Sequence, residues 1–223
     1  MWCIPPRQNA AFVAAMEDVL SVYERVYDDQ TALLCLDETS KQLLKETRTP
    51  LPCEPGQLWR YDYEYERCGV ANLFMLFDPV RSWRRVVVRD QRTAIDFAEV
   101  VREALRGPYA KYERIVLVLD NLNTHTVASL YKAFSAAEAF ALADRIEWHY
   151  TPKHGSWLNM AEIELSVLSR QCLSRRIESR SDLERSVQAW SGARNAKRGG
   201  VKWRFSVADA RCRLRHLYPA IDG

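Results

Sequence analysis

A chain of 223 residues, 48% hydrophobic and 27% charged, can bury a substantial core without staples and lies far from the composition of a disordered protein. Cysteines at 3, 35, 53, 68, 172 and 212 form no C-x-x-C pair and have no His at finger-like spacing, which argues against a zinc finger or a disulfide framework and reads each as a buried, reduced thiol. The net charge of +3 is unevenly spread: from Arg170 to Gly223 there are 11 Arg and 2 Lys against 5 acids, a local +8 that leaves −5 for the rest.

A basic segment beside an acidic core suits a protein that grips phosphates with one surface and gathers cations with another, although solvated helix faces give the same pattern. No run approaches the roughly 20 apolar residues of a membrane span, and the start lacks a signal-peptide pattern, so a cytosolic protein without membrane contact is expected.

In chain order, Asn9 can cap a helix whose apolar positions Phe12, Met16, Val19, Leu20 and Tyr23 recur at helical spacing. Ala32 to Leu36 then reads as a short buried strand that delivers Asp37-Glu38 to its end. Pro50, Pro52, Pro55 and Gly56 make 49–57 a connection. Trp59, Tyr61, Tyr63 and Tyr65 alternate at period two, which reads as one packed face of a strand, with a stacking surface for DNA as the alternative.

Val70 to Phe77 and Arg84 to Arg89 read as an antiparallel pair joined at Asp78-Pro79. Thr93 with Asp96 starts a helix that Gly107-Pro108 ends. Ile115 to Leu119 is continuously apolar, as in a central parallel strand, and ends at Asp120. Val127 to Phe134 continues as a helix and 136–144 as a loop. Ile146, Trp148 and Tyr150 alternate as a strand, and helical spacing returns from Leu158 to Cys172. Two more helices are expected, from Ser181 with Glu184 and from Ser206 with Asp209.

The order strand, two antiparallel strands, helix, strand, helix, strand, helix resembles the ribonuclease H-like fold, an α/β architecture in which helices cover both faces of a mixed sheet. The expected division is an N-terminal helix over 1–30, the ribonuclease H-like unit over 31–178 and a basic helical extension over 179–223.

Asp37 and Asp120 both stand where apolar strands end, the edge at which ligands gather in such sheets. Carboxylates brought together there repel unless a cation lies between them, and hard oxygen ligands select Mg²⁺ or Mn²⁺. The plainer reading of each Asp is a turn or cap residue, and it is their combination with a third acid on a later helix that favours a metal site. Glu162 and Glu164 both flank the apolar stripe of that helix, so its geometry leaves the third acid open.

The strings LLCLDETSKQLL (33–44), RIVLVLDNLNTHT (114–126) and YTPKHGSWLNMAEIELSVLSRQCL (150–173) resemble the bacterial insertion-sequence transposases related to mariner elements, in the group whose type element is numbered six-thirty. The resemblance implies a catalytic domain with Asp37, Asp120 and Glu162 as the acids, since the family acid lies three residues after the Asn of a Leu-Asn pair, here Asn159. It implies two divalent ions, bridged by Asp37, that serve cleavage of element ends and strand transfer into target DNA at TA.

The implied partners are double-stranded DNA, a second copy of the chain on that DNA, and a separate N-terminal helix-turn-helix chain, because this chain opens directly on its first helix. The implied setting is the bacterial cytoplasm, at the nucleoid. Asn121, His125, Lys153 and His154 flank the acids as candidate DNA contacts, with Arg175, Arg176, Lys197, Arg198, Lys202 and Arg204 as candidate backbone contacts. The competing readings are a non-catalytic fragment that binds DNA or a full-length transposase, and a nuclease without strand transfer.

Overall fold

Apolar residues at i and i+1 along the central strands leave no polar face, so both faces of the sheet must be covered. In the computed structural model, which describes residues 4–49, 54–56 and 62–220, they are. Strands β1 (Thr31–Glu46), β2 (Tyr65–Asp78), β3 (Trp83–Arg89), β4 (Arg114–Leu119) and β5 (Ile146–Tyr150) form one sheet in the order β3-β2-β1-β4-β5. The first three pair antiparallel, while β4 and β5 join parallel to β1.

Period-two alternation divides the core. Leu33, Cys35, Val116 and Val118 enter one cluster, against α1 (Ala10–Glu24), α5 (Met160–Gln171), α6 (Arg180–Ala196) and α7 (Val207–Arg213). Leu34, Leu36, Leu117 and Leu119 enter the other, against α2 (Ala94–Arg106), α3 (Val127–Ala133) and α4 (Ala136–Asp144). The helices begin where side chains satisfy their first amides: Asn9 for α1, the Thr93–Asp96 capping box for α2 and the Ser206–Asp209 box for α7.

Five expectations change. Cys68 and Cys212 are exposed rather than buried. β1 does not end at Asp37 but runs on to Glu46, because β2 pairs with it along that whole length after its ladder with β4 has stopped at Cys35. Residues 136–144 are a helix rather than a loop, capped by Ser135, whose hydroxyl accepts from the Glu138 amide. The helix expected from Ser181 starts at Arg180, with Ser179 as its cap and Asp182 in its first turn. Tyr63 and Tyr65 are 88% and 43% exposed, so they do not lie on a packed strand face. Pro50, Pro52, Trp59 and Tyr61 lie outside the described residues.

Candidate active site

β1 and β4 run parallel, with Thr31 facing Arg114 and Cys35 facing Val118; the same register carried two residues further sets Asp37 beside Asp120. Neighbouring strands lie about 4.8 Å apart, so both acids fall at the point where the two strands part. The third acid arrives on α5 through Asn159. This fully buried side chain caps the helix by accepting from the Ala161 amide at 3.1 Å and donates Nδ2–H to the carbonyl of Leu36 at 2.7 Å. The first turn of α5, which carries Glu162, is thereby fastened to β1 one residue before Asp37. Tyr23 braces the approach by donating its hydroxyl to the Leu158 carbonyl at 2.7 Å.

The electrostatics follow from this crowding. Asp37 is 8% exposed, and burial pushes its carboxyl up to about 7 against the pull of the Glu38 amide, with the negative charges of Asp120, Glu162 and Glu38 raising it further. Such a carboxylate is relieved by a cation. Among the described residues no three His, Cys, Asp or Glu side chains are drawn together as a ligand cluster. What fits a divalent ion is the donor chemistry, an all-carboxylate set of hard oxygens in one another's field.

Glu164 is placed differently. Its carboxylate is buried under two guanidinium groups: Arg194 donates Nε–H to Oε2 at 3.0 Å and Nη2–H to Oε1 at 2.7 Å, and Arg84 Nε lies 3.1 Å from Oε2. Glu162, two residues earlier, is only partly buried.

His125 is 1% exposed, so it is not accessible to a DNA phosphate as a candidate contact should be. Its Nδ1–H donates to Asp120 Oδ1 at 2.5 Å, and Nε2 stands 2.8 Å from Glu38 Oε2, an ion-pair distance off the axis of a good hydrogen bond. Burial disfavours charge on the ring, but the adjoining carboxylates of Asp120 and Glu38 outweigh it and push the imidazole up to about 9.

Asn121, Lys153 and His154 are exposed, with Asn121 next to Asp120 in the chain and sharing a cleft with Lys153, and Lys197, Arg198, Lys202 and Arg204 are exposed farther along. Arg175 donates to the Ser186 hydroxyl at 2.7 Å. Arg176 is taken up internally, donating Nη1–H to Glu46 at 2.5 Å and to the carbonyl of Glu64 at 3.1 Å, which makes it a brace of the β1–β2 hairpin. Sequence reasoning missed Glu38 as a partner of His125, and Arg84 and Arg194 as partners of Glu164. The one available signal was the Asp37-Glu38 doublet, whose members must point to opposite faces of a strand.

Fold and sheet order define a ribonuclease H-like α/β protein. Residues 32–184 match the DDE superfamily endonuclease family, and the chain belongs to it. Among solved structures it is similar to the Mos1 mariner paired-end complex with Mn, at 17% identity and a TM-score of 0.56 over 86% of this chain and 58% of that one. It is also similar to the Mos1 strand transfer complex, at 17% identity and a TM-score of 0.53 over 82% and 53% of the two chains. The likeness to the Mos1 paired-end complex with Mg, at 15% identity and a TM-score of 0.56, covers 98% of this chain and 66% of that one. The chain thus spans between about half and two thirds of the length of these neighbours. No curated protein matches it.

Proposed function

We propose that the chain is the catalytic core of a DNA transposase that cuts phosphodiester bonds at element ends and joins them to target DNA. The observation that carries this reading is Asp37, a buried carboxylate raised by burial and by Asp120 and Glu162, at the edge where β1 and β4 part. Asp37, Asp120 and Glu162 would hold the divalent ions, Mg²⁺ or Mn²⁺, and two such ions would supply an activated water or 3′-hydroxyl and stabilise the leaving oxygen. The pairing of Glu164 with two arginines supports Glu162, rather than Glu164, in that role.

The chain's own residues do the rest. Asn159 holds Glu162 against β1, and the exposed Asn121, Lys153 and His154 meet phosphates near the acids. Lys197, Arg198, Lys202 and Arg204 grip the backbone, where charge matters more than exact placement. The Mos1 neighbours, solved as a paired-end complex with a transposon end and as a strand transfer complex, support DNA as the partner; a duplex substrate and a dimer as the working form belong to the same proposal. Insertion at TA and supply of end recognition by a helix-turn-helix chain belong to the same reading.

The test is incubation of DNA bearing candidate element ends with the chain and Mg²⁺, followed by assay of nicking and of joining to a target plasmid. Metal-dependent nicking with joining is expected. Nicking without joining would make the protein a nuclease, and DNA binding without either would make it a non-catalytic module.

A further inference from the structure

The doublet Asp37-Glu38 sends one acid to each face of β1, and the proposed ion-holding role accounts only for the first. Glu38 turns toward the α2 and α3 side, where its side chain is 4% exposed and lies 2.8 Å from His125 Nε2 and 3.9 Å from Arg92. The imidazole is fixed from three directions. Phe97, fully buried on α2, lies against the ring with centroids 4.7 Å apart, Glu38 meets one nitrogen, and the other donates to Asp120. The turn that carries His125 is itself tied, through the His125 amide to Leu122 O at 2.9 Å and the Ser129 hydroxyl to Thr124 O at 2.7 Å.

Asp120 follows the last residue of β4 and has no strand of its own to fix its side chain. The only contact that orients its carboxylate among the described residues is the one from His125, made to Oδ1. The other oxygen, Oδ2, is left for a ligand.

We propose that Glu38 and His125 form a relay that positions Asp120 for divalent-ion binding, with His125 holding one carboxylate oxygen and Glu38 holding the ring. Both are positioning residues, buried side chains that act through Asp120. The inference rests on the reading of Asp120 as an ion-holding residue and adds to it a cause for the orientation of that side chain. A bonded partner that fixes a ligand carboxylate typically changes metal affinity by about 10–100-fold.

The test is titration of Mn²⁺ alone into the full chain, read by paramagnetic resonance, for wild type, His125→Ala, His125→Asn, Glu38→Gln and the Glu38→Gln/His125→Ala pair. Melting curves without metal would run alongside. His125→Ala is expected to weaken Mn²⁺ binding by roughly tenfold or more. His125→Asn, whose amide N–H can still donate to Asp120, should recover part of that loss; a purely structural role would not separate these two variants by affinity at matched melting temperature. Glu38→Gln should weaken binding less, and the pair should be no worse than His125→Ala alone, because Glu38 acts through the ring. Wild-type affinity in folded His125→Ala, equal losses in His125→Ala and His125→Asn at matched melting temperature, or additive losses in the pair, would overturn the relay alone. Absence of saturable Mn²⁺ binding by wild type would overturn the relay and the ion-holding reading together.

Discussion

Asp37 has a titration that can be followed. Its folded value of about 7 lies above the ordinary 3.8, so between those pH values the folded chain holds a proton that the unfolded chain has released. The stability this contributes is complete below about pH 4 and is lost as pH rises through 7. His125 extends the trend: its folded value of about 9 lies above 6.5, and its contribution is complete below about pH 6.5 and lost as pH passes 9. The metal-free chain should therefore melt at lower temperature as pH is raised from 4 to 8, and Asp37→Asn should flatten the part between 4 and 7. Calorimetry across that range is the check, and an identical slope in the variant would show that Asp37 does not carry the shift.

At the scale of elements, α5 is pinned at two points with different purposes. Asn159 ties its first turn to β1, and Glu164 ties its middle to β3 and α6 through Arg84 and Arg194. Removing one partner of a buried ion cluster leaves the others uncompensated, at a cost of about 3–5 kcal/mol. Glu164→Gln should thus lower the melting temperature by roughly 10 °C, since each 1 kcal/mol moves a chain of this size by about 2–4 °C, while Glu162→Gln should leave it nearly unchanged. Equal melting of the two variants would contradict the proposed division between a structural and an ion-holding glutamate.

The same elements show what could be read from sequence. Apolar runs ending in Asp37 and Asp120 were legible because burial on both faces of a strand leaves an unmistakable pattern, and the α2 and α7 caps because their boxes are local. Glu162 could not be told from Glu164 by helix geometry. What separates them is Arg84 and Arg194, brought in from β3 and α6. The helix α4 was hidden by its brevity, although Ser135 and Glu138 carried a capping signal. The blunting of the edge strand β3 was likewise non-local: the Asn195 amide bonds both the N–H and the carbonyl of Arg84, and Arg180 donates to the Val88 carbonyl, so this edge is partly closed to other strands.

Across the whole molecule, charge and site are held on one frame. The basic C-terminal segment is fastened to α1 by Arg211 on Glu17, by the Tyr218 hydroxyl on the same carboxylate and by the Val207 amide on Glu24. It packs on the face that also carries α5, so the exposed cations of that segment and Glu162 belong to one side of the sheet. The direct measurement is anomalous diffraction from crystals of the chain bound to end DNA and Mn²⁺. Peaks held by Asp37, Asp120 and Glu162, with Glu164 still paired to Arg84 and Arg194, are the predicted result; Mn²⁺ bound elsewhere, or absent from these three carboxylates, would contradict it.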